Sequence, residues 1–80
     1  MQNQSQLPKY PLLEEILEIL GLKLKTKYTT KDAAQIFEVT PRAILNRIES
    51  GKMIARDLPG HGRFLSIDLE EYLRNSKTTD

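Results

Sequence analysis

Leu13, Ile16, Leu17 and Leu20 recur at three- and four-residue spacing, and Glu14, Glu15 and Glu18 fall mostly on the opposite side. That period predicts an amphipathic helix over 11–20. Pro11 suits its first turn, where a missing N–H costs nothing, and Gly21 suits its end. Leu22 and Leu24 then alternate with Lys23 and Lys25, the pattern of a short extended connector. Ala33, Ala34, Ile36 and Phe37 form the apolar side of a second helix over 30–37. Thr29 and Asp32 have the spacing of a capping box in front of it. A third helix follows over about 40–50. Thr40 is its N-cap, Pro41 its first residue, Ile44, Leu45 and Ile48 its apolar stripe, and Gly51 its close. The period then changes. Lys52–Leu58 and Arg63–Ile67 flank the turn-rich Pro59-Gly60-His61-Gly62, which reads as a hairpin with both glycines at positive φ. Leu69, Tyr72 and Leu73 mark a last helix over about 68–74, for which the Asp68–Glu71 spacing favours Asp68 over Ser66 as the cap.

The order is helix, helix–tight turn–helix, hairpin, helix. Two short helices joined by a few residues are the helix-turn-helix unit, and a hairpin directly after the second is a wing. The expected fold is therefore mainly α: a winged helix-turn-helix of three to four helices and a small β-hairpin wing, with an extra N-terminal helix. Residues 1–8 read as a disordered tail and 9–25 as the N-terminal helix and connector. Residues 26–75 read as the winged helix-turn-helix domain and 76–80 as a frayed tail. The expected core is Leu13, Ile16, Leu17, Leu20, Tyr28, Ala34, Phe37, Val39, Ile44, Ile48, Ile54, Phe64, Leu69, Tyr72 and Leu73. Leu45 is either core or a contact to a thymine methyl, with core favoured. The N-terminal helix must cover its apolar side, either on the rest of the domain or against a twin in a homodimer.

Composition narrows the chemistry. Eighty residues make one small domain, and the absence of Cys leaves no disulfide, thiolate nucleophile or Cys-based zinc site. One His cannot build a multi-His metal site. No apolar run is long enough to span a membrane, and the polar start lacks a signal-peptide pattern, so a cytoplasmic protein is expected. No nucleophile–base pair or phosphate loop is apparent, so no enzyme, cofactor or small-molecule effector is expected. The net charge of +1 is unevenly spread. Residues 1–25 balance to zero, residues 26–65 carry +3, and residues 66–80 carry −2. The basic share falls on the helix-turn-helix and wing.

Tyr28-Thr29, Asp32-Ala33-Ala34, Ile36-Phe37, Val39-Thr40 and Arg42 occur in that order. Ser50-Gly51-Lys52, Gly60-His61-Gly62-Arg63-Phe64 and Asp68-Leu69-Glu70-Glu71-Tyr72-Leu73 follow. This ordered set, over roughly 27–74, resembles the excisionase-type helix-turn-helix family, the small winged-helix group related to the MerR regulators. The resemblance implies sequence-specific binding of double-stranded DNA by an excisionase-like or transcription-regulatory factor of a bacterium or its mobile elements. Such a factor would serve DNA recombination or transcription regulation. The family pattern has Gly in the tight turn, where this chain has Glu38. A left-handed residue there would cost about 1–2 kcal/mol without Gly.

In that reading the third helix enters the major groove, and Arg42, Asn46 and Arg47 meet base edges. Arg takes guanine O6 and N7, and Asn takes adenine N6 and N7. Lys31 at the start of the second helix, Lys52, Arg56 and Arg63 would hold phosphates, with His61 at the wing tip. A homodimer or cooperative assembly on DNA is the open question of stoichiometry. The alternative function is a protein-interaction winged helix that does not bind DNA, docking a partner through the apolar N-terminal helix and the acidic last helix.

Overall fold

A computed structural model describes residues 8–77. Of the tails expected over 1–8 and 76–80, residues 1–7 and 78–80 lie outside the described residues. The chain forms α1 (Pro11–Leu20), β1 (Lys27–Tyr28), α2 (Thr30–Phe37), α3 (Pro41–Glu49), β2 (Phe64–Leu65) and α4 (Ser66–Asn75). The fold is mainly helical, with one small antiparallel sheet. No helix among the described residues is long and apolar enough to cross a membrane.

The helix starts follow the local chemistry of the sequence. Pro11 occupies the first turn of α1, and Gly21 ends it in the left-handed region, with the Leu22 N–H returning to the Leu17 carbonyl at 2.8 Å. Thr29 and Asp32 form the expected capping box. Thr29 Oγ1 accepts from the Asp32 N–H at 3.0 Å, and Asp32 Oδ2 accepts from the Thr29 N–H at 2.9 Å. Thr40 Oγ1 accepts from the Ala43 N–H at the start of α3. The last helix departs from expectation: it begins two residues early, at Ser66, and Asp68 is not its N-cap. Asp68 sits at the third helical position, where its Oδ2 accepts the N–H of Leu65 at 2.8 Å. Ser66 faces inward instead, and its hydroxyl donates to the Lys25 carbonyl at 2.7 Å.

α2 packs on α3 and α1 on α4. Leu13, Leu17, Tyr28, Ala33, Ala34, Ile36, Ile44, Met53, Phe64 and Leu69 make one buried cluster. Ile16, Phe37, Ile48, Tyr72 and Leu73 lean on it, as their spacing predicts. α1 therefore covers its apolar side within the chain. Leu20 is half-buried, and Leu45 is half-buried outside the cluster. Two expected core residues are exposed: Val39 at 45% and Ile54 at 82%. Val39 lies in the α2–α3 turn, where its N–H closes on the Ala34 carbonyl at 2.9 Å. Ile54 loses its place to Met53, which is buried.

The cause lies in the exit from α3. The N–H groups of Lys52 and Met53 both donate to the Arg47 carbonyl, at 2.9 and 3.1 Å. The chain thus winds past Gly51 before it extends, and the alternation shifts by one residue. The expected hairpin ladder between 52–58 and 63–67 does not form. β2 pairs with β1 instead, Lys27 opposite Leu65 and Tyr28 opposite Phe64. The paired strand thus falls after the expected connector over 22–25, not within it. Across the 52–63 loop runs one backbone bond, from the Arg56 N–H to the Arg63 carbonyl at 2.7 Å. Arg63 is the hinge of this arrangement, since its own N–H donates to the Tyr28 carbonyl at 2.8 Å. Gly60 has the expected positive φ of 81°, but Gly62 does not. Gly62 is instead closely approached: a Cβ there would lie 3.1 Å from the Lys27 Cβ, so that side chain would have to shift to admit one.

Candidate nucleic-acid interface

α3 is short, begins on Thr40-Pro41, and turns Ala43, Ile44 and Ile48 inward. Its exposed strip carries Arg42, Asn46 and Glu49 at four- and three-residue spacing. Arg42 and Asn46 are both exposed, and neither side chain has a hydrogen-bond or ion-pair partner among the described residues. The negative charge on this strip, Glu49, sits at its C-terminal end, with Arg42 in the first turn and Asn46 between them.

The strip is presented by the α2–α3 turn. Glu38 ends α2 with φ 58° and ψ 44°, the left-handed conformation that the family pattern assigns to Gly. Its N–H returns to the Gln35 carbonyl at 3.2 Å. Only Glu38, Val39 and Thr40 separate the two helices.

The other cations fall into distinct situations. Lys31 is exposed in the first turn of α2. Lys52 is exposed directly after α3. Arg56 and Arg63 are brought together by their backbone bond, and a cleft of about 390 Å³ beside them is lined by Ile48, Ala55, Leu58 and Gly62. The loop therefore stands next to the C-terminal half of α3. His61 is exposed at the turn of that loop. Arg63 is exposed and unpaired among the described residues.

Arg56 is engaged. Its Nε and Nη2 both donate to the Asp68 carboxylate, at 2.5 and 2.8 Å. The hydrogen bond and charge of Asp68 raise the Arg56 pKa further above its already high ordinary value. Partial burial alone would raise the Asp68 carboxyl. The Arg56 hydrogen bond, the Leu65 N–H and the Arg56 charge outweigh it and hold that carboxyl below the usual range. Asp32 follows the same pattern. Burial opposes its ionisation, but the Thr29 N–H and Lys25, whose Nζ lies 3.1 Å away, lower its pKa.

Arg47 does not join the Arg42–Asn46 strip. It leans to the α4 side, where its Nε donates to the Tyr72 hydroxyl at 2.7 Å and its guanidinium carbon lies 5.9 Å from the Tyr72 ring centroid. Tyr72 itself meets Phe37 of α2 edge to face, with ring centroids 5.5 Å apart. Neither Tyr72 as partner of Arg47 nor Asp68 as partner of Arg56 was legible beforehand. A half-buried tyrosine hydroxyl seeks a partner, but spacing within α4 does not say which cation on α3 supplies it.

Among the described residues no group of three or more His, Cys, Asp or Glu side chains is placed to hold a metal ion. Compared with protein-family models, characterised proteins and solved structures, the chain matches none.

Proposed function

We propose that this protein binds double-stranded DNA in a sequence-specific manner, as a winged helix-turn-helix factor of the excisionase-like or transcription-regulatory kind. α2 and α3 are the helix-turn-helix, and the 52–63 loop stands where a wing would. The observation that carries the reading is the exposed, unpartnered pair Arg42 and Asn46, one turn apart along a helix held by a three-residue turn, with Arg42 in its first turn. A recognition helix meets base edges first through its N-terminal residues, where Arg42 stands, and these two side chains match guanine and adenine edges. Lys31, Lys52 and Arg63 are exposed and suited to phosphates. Arg56 serves to brace the loop on α4 through Asp68, and His61 flanks the backbone from the loop tip. The two elements that a protein-docking alternative would offer, α1 and α4, are packed on each other.

The test is a gel shift on random-sequence duplex DNA, repeated over a range of salt. About four phosphate contacts per monomer predict log affinity falling against log salt with a slope of about −4. Absence of binding at low salt, or a slope near zero, overturns the reading.

A further inference from the structure

Among the described residues, Arg47 is the one cation of the basic segment whose side chain is fixed by a neutral group. Arg56 and Lys25 lie on carboxylates, which cancel much of their charge. Arg47 gives one donor, Nε–H, to a tyrosine hydroxyl and keeps its full charge. Its four Nη hydrogens have no acceptor among the described residues. The hydroxyl belongs to Tyr72 of α4, and that ring is held by Phe37 of α2. Side chains of three helices thus stand in a row, Phe37 against Tyr72 and Tyr72 against Arg47. Ring and hydroxyl constrain it together, since the guanidinium carbon also lies near the ring.

We infer that Tyr72 is a positioning residue for DNA binding, holding Arg47 so that its Nη edge takes a backbone phosphate rather than a base edge. This rests on the DNA-binding reading above. An arginine presents five donors in a planar fork, and two Nη groups side by side match two phosphate oxygens. Holding Nε in advance removes rotamer freedom that would otherwise be lost on binding. The phosphate assignment follows from position. Arg47 tilts toward α4, where Tyr72 holds it, and so stands off the exposed strip that Arg42 and Asn46 share. Tyr72 does not touch the nucleic acid in this scheme and acts through Arg47 alone.

The experiment compares the unaltered chain with Tyr72→Phe, Arg47→Ala and the double variant, on random-sequence duplex DNA and on single-base-pair variants of a selected site, at low and moderate salt. Tyr72→Phe keeps the ring that packs on Phe37, so its melting temperature should match that of the unaltered chain. Its affinity should fall about three- to tenfold. The loss should be uniform across sequences. Arg47→Ala should lose more and reduce the salt slope by about one. Adding Tyr72→Phe to Arg47→Ala should change affinity no further, which a merely structural tyrosine would not produce. Equal binding by Tyr72→Phe and the unaltered chain overturns the positioning role, and so does an undiminished effect in the Arg47→Ala background. A loss confined to one base pair overturns the phosphate assignment. If the unaltered chain binds no duplex, the DNA-binding reading itself fails and this role falls with it.

Discussion

Glu70 Oε1 accepts the backbone N–H of Leu13 at 2.8 Å, joining α4 to the first turn of α1 across most of the chain. The same carboxylate takes the Leu12 N–H through Oε2 at 3.2 Å. The opening N–H groups of a helix have no partner within it, and α1 has no side-chain cap of its own. Glu70 supplies that cap from a distance, and its negative charge opposes the positive end of the helix dipole. It is 1% exposed, with Arg74 Nε 3.5 Å away. The bond also ties the start of α1 to α4 within the chain. Replacing Glu70 by Ala should cost about 2–4 kcal/mol, because it strands two donors in a buried site. Glu70→Gln keeps one acceptor oxygen and should cost about half as much. Urea unfolding midpoints measure both. Hydrogen exchange at Leu12 and Leu13 should quicken in the Ala variant before the rest of the core is affected.

The helices of this fold were largely legible in the sequence, because their ends are governed by local chemistry. Thr29, Thr40, Pro11, Pro41 and Gly21 act within one turn of where they stand. What could not be read is long-range. Glu70 looks like a solvated acid among Asp68 and Glu71, and nothing nearby in sequence says that α1 will land on it. The strand pairing failed for the same reason. Tyr28 competes with the 52–58 segment for the edge at 63–65, and that contest is decided in three dimensions. For the candidate site, the shared exposed side of Arg42 and Asn46 follows from their four-residue spacing, whereas the partners of Arg47 and Arg56 come from α4.

Met53 and Ile54 give a direct check on the shifted register. Met53 is 3% exposed and Ile54 82% exposed, the reverse of what alternation predicts. Met53→Ala should destabilise by about 2–3 kcal/mol. Ile54→Ala should stay within about 0.5 kcal/mol of the unaltered chain. Thermal melts of the two variants side by side would reveal a reversed order if the segment sat one residue out.

Glu38 is the only described non-glycine residue with positive φ. Its conformation strains a side chain, and its charge sits at the C-terminal end of α2, where the helix dipole disfavours an anion. Glu38→Gly removes both penalties. The greater freedom of glycine in the unfolded chain offsets part of the gain, leaving a net stabilisation of about 0.5–1 kcal/mol. A variant that melts lower than the unaltered chain would contradict this. DNA affinity should be unchanged, because Glu38 supplies the turn and not a contact.

Asp32 and Asp68 carry the acid sensitivity. Both have lowered pKa values in the folded chain. A depressed carboxyl contributes its stabilisation in full above its unfolded pKa of about 3.9, and the contribution is lost as pH falls through the folded value. Stability should therefore hold near neutrality and decline below about pH 4. Asp68→Asn removes one of the two groups, so its unfolding midpoint should start lower at neutral pH and fall less on acidification. Parallel declines in both proteins would rule out Asp68 as a source.

Under the proposed DNA-binding function, Arg42 and Arg63 separate reading from holding. Arg42 stands in the first turn of α3 on the exposed strip, four residues before Asn46. Arg63 stands at the base of the loop, with its backbone fixed between Tyr28 and Arg56 and its side chain exposed. Arg42→Ala should cost about 1–3 kcal/mol on the preferred site and flatten preference at one base pair, because a bidentate base contact is lost. Arg63→Ala should weaken binding to all sequences about equally and reduce the salt slope by about one, since one phosphate contact is lost. Neither change should unfold the chain: both side chains are exposed, and the Arg63 backbone bonds survive substitution. Competition binding on a set of single-base-pair variants of a selected site reads both effects at once. An unchanged preference profile for Arg42→Ala, together with an altered one for Arg63→Ala, would move the reading function from α3 to the loop.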